Sequence, residues 1–599
     1  MSPDYSNLGS AVSDLENFGV SGAVTFNIRT GTYPERLVIG HIPTTSSVNQ
    51  VVFQSETGNP TDVVITYDSD IDTNYTLFVD SAAYLTFKDL TLQATDQQYG
   101  RIVLLENNAH HNTFLNCDFE GINTVSNSDG LGLFRSNGSN SHLTLEGCTF
   151  QGGSKALMIS SPNHDAVNNT IRDNAFFEQY LKAMELERVD GVVIEGNEIV
   201  SGSLNSLYEG IHLAECDSSV QVRRNTMDLV DPIKAIHIWR CFASGGAKAV
   251  VANNAVHISG GIGSSANGIF IFWSEHYDFV YNSIHLAESN AGSNIFTMTS
   301  VISDKIRLYN NSFSNLGDGS VLDIGWLPNL EVSDHNNLYT EGAVLAIVDT
   351  FLFGDLAAWQ DTSTLDSNGI SVDPLYPFTP DLHYPDTALA GKAMPLPGIS
   401  LDLDGDVRDS LNPDIGADEF EWVAPVASFF SSLYTGCSPL TVDFFDQSQG
   451  PVTAYAWDVD GDGSDDYFTA NPTHTYTTPG LYSVRLIVSN LVGADTNIWT
   501  DSIYVDPCTS VDEGLARLEA YPIPSDEALN VDLNGVSGEG LEVRVVDMAG
   551  RQVYREAYSA SLSPDRVRIE TEHFPAGMYL LTLENGVDAG VHIRFSVRH

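Results

Sequence analysis

Two histidines, His212 and His237, hold the same place in two similar segments, "EGIHLAEC" (Glu209–Cys216) and "KAIHIWRC" (Lys234–Cys241). Apolar residues alternate around each histidine, as in a half-buried strand. An imidazole exchanges a proton near neutral pH. Lys234, Arg240 and Arg188 supply positive charge nearby. These types suit removal of the C5 proton of a uronic acid by a base while a cation neutralises the adjacent carboxylate, the chemistry of β-elimination. His212, His237, Lys234, Arg240 and Arg188 are the candidate catalytic groups. Glu185, Glu187 and Glu215 would hold Ca²⁺ beside them. With Asp323 they would instead supply the carboxylate pair of a glycoside hydrolase, spaced at about 5 Å or about 6.5–9.5 Å.

The elements that must position these residues are strands of one type: "KALMISS", "KAMELER", "EGIHLAE", "KAIHIWR", "NGIFIFW", "SNIFTMT" and "SVLDIGW". Aligned, they give an outward ladder Met158, Glu185, His212, His237, Phe270, Phe296, Asp323. A second ladder reads Ser160, Glu187, Ala214, Trp239, Phe272, Met298, Gly325. At the turn beyond stand Arg188, Glu215, Arg240, Trp273 and Trp326. Stacked strands would set such side chains about 5 Å apart. Glu185, Glu187, Glu215, Trp239, Phe270, Phe272, Trp273, Asp323, Trp326 and Lys182 are the candidate substrate-binding residues, since aromatics meet the C–H faces of sugars and polar groups their hydroxyls. A further column reads Lys155, Lys182, Glu209, Lys234; the chain has seven lysines, and three share this place. Local positive charge in an acidic protein points to an anionic polysaccharide. Stacked His and Phe ladders also stabilise a sheet without any ligand, so a non-catalytic glycan-binding rod or adhesin stays open beside the lyase and the hydrolase.

The strands belong to a repeat of about 27 residues. "FLNCDFEG", "LEGCTFQG", "IRDNAFFE", "IEGNEIVS", "VRRNTMDL", "VANNAVHI", "VYNSIHLA", "LYNNSFSN" and "SDHNNLYT" align Phe119, Phe150, Phe176, Ile199, Met227, Val256, Ile284, Phe313 and Leu338. Two positions earlier run Cys117, Cys148, Asn174, Asn197, Asn225, Asn254, Asn282, Asn311 and Asn336. Such units cannot bury a face alone and must stack. The pattern resembles the right-handed parallel β-helix of the pectin-lyase-like superfamily, over residues 1–422 and about ten coils. The resemblance implies that the sheet after the Asn turn and its loop binds substrate. The ordered acidic, His-Gly and Arg-x-Lys motifs of polygalacturonases and the arginine motif of pectate lyases are missing, and the lyase is preferred without a family signature. Cys117/Cys148 and Cys216/Cys241 occupy equivalent places; the first pair is expected as buried stacked thiols, and the second is open.

The chain has 599 residues, 79 acidic against 27 basic, and a net charge of −52. That excludes nucleic acid as partner. No apolar run approaches the roughly 18 residues of a membrane span. "MSPDYSNLGS" lacks the basic start and apolar run of a signal peptide, so the export signal is expected to be absent from this sequence. After Glu421 the repeat stops. Residues 423–508, with "YAWDVDGDG" and "PTHTYTTPGLYSVRLIVSN", resemble a PKD domain, a small β-sandwich. Cys437 and Cys508 bracket it, and a disulfide between them is expected, worth about 4 kcal/mol by loop entropy. Asp458, Asp460, Asp462 and Asp466 resemble a calcium loop, although Thr469 stands where an EF-hand has Glu. Residues 509–599, with "YPIP", "DMAGRQV" and "PAGMYLL", resemble the C-terminal sorting domain of the Bacteroidetes type IX secretion system. An all-β protein is expected: a β-helix followed by two small β-sandwiches. It would be a secreted or outer-membrane-surface monomer that meets the type IX machinery, with Ca²⁺ as its cofactor.

Overall fold

The computed structural model describes residues 4–202, 205–243, 248–260, 265–287, 290, 292–299, 302–376, 382, 388–420, 424–450, 452–490, 492–507, 519–521, 525, 527–532, 541–547, 551–558, 566–575, 577–584 and 591–597. The chain divides into two compact units, Met1–Glu421 and Trp422–His599.

The first unit is a parallel β-helix. Each coil contributes one strand to each of three sheets, as in Val193–Glu195, Glu198–Ser201 and Glu209–Ala214. The first and second sheets have 12 strands each; the third has 13, the last (Phe351–Phe353) turning antiparallel. Equivalent residues pair from coil to coil, Ile194 with Val222, Ile199 with Met227 and Ile211 with Ile236. Their aliphatic side chains fill one continuous core, in which Phe119, Phe150 and Phe176 stack at 4.6 and 4.8 Å. The helix Leu8–Phe18 packs the apolar residues Leu8, Val12 and Leu15 into the same core.

The turn between the first two sheets is held by the asparagine column. From Asn174 to Asn311, each backbone N–H donates to the amide oxygen of the next asparagine at 2.9–3.2 Å. Each Nδ2 donates to that same oxygen and to a carbonyl of the preceding coil; Asn225 reaches Asn254 at 2.9 Å and Ile194 at 3.1 Å. An amide fits because it donates and accepts at once. Asp366 ends the column, accepting from Asn336, Ser333 and the Trp359 indole. Cys148 begins it, donating its N–H to Asn174. Cys216 and Cys241 sit in a second ladder that continues into Ser274 and Ser303. All four cysteines are buried free thiols.

One register differs from the sequence alignment. Phe270 pairs with Thr297, not Phe296, and Ile271 pairs with Met298. Phe296 and Met298 are therefore core residues, and Thr297 joins the outward ladder. The cause is Ser293, which belongs to the turn and accepts the Ala266 N–H through its hydroxyl at 3.0 Å. Counting it as a strand residue shifts the segment by one.

In the second unit, Phe429–Ser431, Leu440–Asp446 and Thr473–Tyr476 face a four-stranded sheet around buried Trp457, Val442 and Leu486. A three-stranded and a four-stranded sheet then enclose Leu529, Val545 and Phe595. Cys437 is disulfide-bonded; Cys508 lies outside the described residues.

Replacing Asn225 by Ala removes the acceptor of the Asn197 N–H and of one Asn197 Nδ2 hydrogen, and one of the donors to the Ile194 carbonyl. A loss of about 3 kcal/mol is expected, read as a lower denaturant midpoint of the β-helix.

Candidate functional site

The third sheet carries the predicted face. Its strands begin with a lead column, Arg101, Gly132, Lys155, Lys182, Glu209, Lys234, Asn267, Asn294 and Ser320, in register from Lys155 onward by direct pairing. Two core residues follow, Ala183 and Met184 in one strand, Ala235 and Ile236 in another. The outward ladder comes next: Arg135, Met158, Glu185, His212, His237, Phe270, Thr297 and Asp323.

Lead residues reach diagonally to the ladder residue of the following coil. Lys155 meets Glu185 at 2.6 Å, and Lys182 meets the His212 Nδ1. Glu209 accepts from the His237 Nδ1 at 2.7 Å, and Lys234 lies 4.7 Å from the centre of the Phe270 ring. Thr297 donates to Asn267 at 2.8 Å, and Asn294 to Asp323 at 3.3 Å. Glu209 is the hub, with Lys182 at 2.8 Å, His212 at 3.0 Å and Lys234 at 3.4 Å as well. His212 and His237 stack at 4.3 Å, and Phe270 meets His237 edge-on. Although it points outward, this network is nearly covered: the Glu209 side chain is 8% exposed and that of Lys182 11%. Asp129, in the segment before the strand Phe134–Asn137, pairs with Lys155 at 2.8 Å.

The network sets its own proton affinities. Burial opposes ionisation of Glu209, but hydrogen bonds from His212 and His237 and the Lys182 charge hold it far below the usual carboxylate range. Burial likewise works against the Glu185 carboxylate, and Lys182 and Lys155 overcome it. Burial lowers His237 to about 4 despite Glu209, leaving a neutral imidazole near neutral pH. Asp323 is raised by burial.

A rim follows where the strands leave the sheet. Ser81, Asn107 and Gly138 make this corner in the early coils with left-handed backbone. In the middle coils Arg188, Glu215, Arg240 and Trp273 adopt the same conformation, with φ of 51–55°. Long side chains are uncommon there. They form a run: Arg188 pairs with Glu187 and with Glu215 at 2.9 Å, and Glu215 with Arg240 at 2.9 Å. The Arg240 guanidinium lies 5.0 Å from Trp239 and 4.8 Å from Trp273. Phe272 stands beside Trp239 in register. Asp323 and Trp326 lie further along the sheet, outside the His–Glu network. Sequence alignment missed Glu209 as hub, although a lone acid in a lysine column was its signal. It also missed Asp129, which has no periodic signal.

Donor atoms of Glu209, His212 and His237 lie within 4.8 Å of one another, but the Lys182 and Lys234 ammonium groups already occupy the place of a metal cation. Glu185, Glu187 and Glu215 are paired with Lys or Arg, so Ca²⁺ does not fit them. In the second unit, carboxylates of Asp458, Asp460 and Asp462 converge within 4.8 Å, an oxygen set that fits Ca²⁺. Asp458 also accepts from the Gly461 and Gly463 N–H groups and lies 3.4 Å from Arg485. Asp466 turns to the Val459 N–H at 2.9 Å.

Comparison with known proteins identifies two parts of the chain. Residues 422–505 match the PKD domain family. Residues 519–593 match the secretion system C-terminal sorting domain family, that of type IX secretion. The protein is thus secreted or displayed on the cell surface and meets the type IX secretion machinery. Among the described residues no helix is long and apolar enough to cross a membrane. No curated protein matches. Among solved structures, the Dettilon tailspike protein is 10% identical over 99% of this chain and 89% of its own, with a TM-score of 0.35. A carbohydrate-binding module of the β-sandwich superfamily is 17% identical over 30% of this chain and 94% of its own, at 0.16. A Methanosarcina mazei protein is 31% identical over 18% of this chain and 77% of its own, at 0.13. At these scores no function transfers.

The unfolded His237 imidazole protonates near its ordinary 6.5 and the folded one near 4. Protons therefore favour the unfolded state in that window, and stability falls as pH drops through it, by at most about 3 kcal/mol. Depressed Glu209 adds loss of the same sign at still lower pH. Denaturant midpoints should fall from about pH 7 to about pH 4, less steeply in His237→Phe. His285, buried and also near 4, keeps the remaining slope above zero.

Proposed function

We propose that the protein binds an extended acidic polysaccharide along the outward face of the third sheet and cleaves it by β-elimination, with His237 as base. The observation that carries this is the Glu209–His237 contact at 2.7 Å. It fixes the imidazole with Nδ1–H on the carboxylate and leaves Nε2 as the acceptor. The C5 proton passes to Nε2, and its electron pair forms the C4–C5 double bond. The C4–O bond breaks, and the leaving oxygen takes the proton back. An imidazolium with a pKa near 4 returns that proton readily. Lys234, beside Glu209, would neutralise the uronate, while Trp239, Phe272 and Trp273 offer aromatic faces to neighbouring sugars. Arg188 and Arg240 are engaged with Glu187 and Glu215, and on this proposal they bind rather than catalyse. The order of Asn turn, strand, loop and strand, which resembles the pectin-lyase-like superfamily, supports the choice of sheet. Hydrolysis within the network is disfavoured because Glu185 and Glu209 are both held ionised, leaving neither as a general acid; Asp323, raised by burial, lies three coils beyond His237 in the ladder.

One observation favours the binding-only alternative: the lysines and carboxylates of the network already neutralise one another. A panel of polyuronates decides. Cleavage gives new ultraviolet-absorbing unsaturated ends, which His237→Ala should abolish with an unchanged circular-dichroism spectrum. Binding without such ends across the panel would leave a glycan-binding surface rod. Reducing ends without the absorbance would mean hydrolysis.

We also propose Ca²⁺ at Asp458, Asp460 and Asp462. Added Ca²⁺ should raise the unfolding temperature of the PKD domain. Asp460→Ala should remove that shift.

A further inference from the structure

Each diagonal from the lead column to the next coil's ladder joins complementary partners from Lys155 onward: ammonium to carboxylate, carboxylate to imidazole, ammonium to aromatic ring, amide to hydroxyl. One earlier diagonal breaks the rule. Arg101 precedes Val103, which pairs with Phe134, so it holds the lead position of its coil. Arg135 pairs with Leu104 and holds the ladder position of the next coil. Two guanidinium groups thus take the places that Lys155 and Glu185 take further along.

Neither arginine is neutralised as the lysines are. The Arg101 Nη2 donates to the Asp129 carbonyl at 3.0 Å, while its Nε is buried with no partner among the described residues. No hydrogen bond or ion pair reaches the Arg135 guanidinium among the described residues. The nearby carboxylates, Asp129 and Glu106, favour the charged Arg101 without an ion pair to it; Asp129 pairs with Lys155 at 2.8 Å, and Glu106 accepts from Asn137 at 3.5 Å. Burial and the charge of Arg135 pull Arg101 down to about 10 from its usual value. Beside them, Gly132 leaves the lead column without a side chain, and the Met158 thioether fills that space.

We infer that Arg101 and Arg135 form an anion subsite that takes a carboxylate or sulfate group of a glycan lying along the third sheet. It rests on the glycan-binding face proposed above and fixes the charge of the ligand at one place on it. An anion between two forked guanidinium groups accepts several charge-assisted bonds and removes the like-charge repulsion that the free protein carries. The subsite lies three coils before His212 in the ladder, so one chain would span both.

The test uses the full chain, with oligogalacturonate, its methyl ester and a sulfated oligosaccharide as probes. Arg135→Leu should weaken binding of the charged probe about tenfold or more, leave the methyl ester unaffected, and raise the unfolding temperature of the free protein by removing repulsion. Arg135→Lys should restore part of the affinity. Loss with oligogalacturonate alone assigns a carboxylate, and loss with the sulfated probe alone a sulfate. Unchanged affinity in Arg135→Leu, while Trp239→Ala still loses it, overturns the subsite and spares the binding face. A wild-type protein that binds neither charged probe overturns both. A lower unfolding temperature in Arg135→Leu means that the arginine is structural, and this also overturns the subsite.

Discussion

The β-helix depends on one repeat distance. Equivalent residues of successive coils lie one strand spacing apart, about 4.8 Å, so a side chain's nearest neighbour is its own counterpart. Each column must therefore tolerate itself. Asparagine does, because its amide donates upward and accepts downward. Phenylalanine does by stacking, as Phe53, Phe87 and Phe114 do at 5.5 and 4.9 Å. Charge does not, and the sequence manages it in two ways. Along the rim, sign alternates through Arg188, Glu215 and Arg240. In the lead column, Lys155 and Lys182 are neighbours, and Glu185 sits between them at 2.6 and 2.7 Å.

The same constraint prepares chemistry. A side chain on a stacked strand is fixed by the strands on both sides, so His237 needs no loop to orient it. Glu209 below, His212 on one ring face and Phe270 at its edge determine where its free nitrogen points. The rim adds a second device. Small residues suit a left-handed corner, and Ser81, Asn107 and Gly138 supply them in the early coils. Arg188, Glu215, Arg240 and Trp273 accept backbone strain to place guanidinium, carboxylate and indole at the edge of the sheet.

Much of this was legible in the sequence, because columns are a one-dimensional property. Asn174 to Asn336 recur at a steady interval, and the Ile and Leu pairs of each strand mark the inward face. What the columns hide is anything off the vertical. The diagonal contacts, Lys155 to Glu185 and Glu209 to His237, join different columns of different coils, so vertical alignment could not pair them. Asp129 comes from a loop of irregular length. Thr297 was displaced by a serine that looks like strand and folds as turn. Arg101 and Arg135 lie before the first aligned lysine strand, where the pattern was too weak to extend.

A net charge of −52 opposes the anionic ligand proposed above, but the opposition is weak at the distances that matter. At physiological ionic strength a charge is largely screened beyond about 8 Å. A bound glycan therefore feels the groups beside it more than the sum over the molecule. Those groups are unusually basic for this chain: three of its seven lysines stand in the lead column, with Arg101, Arg135, Arg188 and Arg240 on the same sheet. The lysines and the two rim arginines are balanced by Asp129, Glu185, Glu209, Glu187 and Glu215 within contact distance, so they contribute shape and hydrogen bonds more than net field. Arg101 and Arg135 make no direct ion pair among the described residues, with Asp129 and Glu106 as the opposite charges near Arg101. An acidic chain would be drawn to that end of the face first and would then lie along the neutralised network past His212 and His237, where proximity to the imidazole rather than charge decides what happens to it.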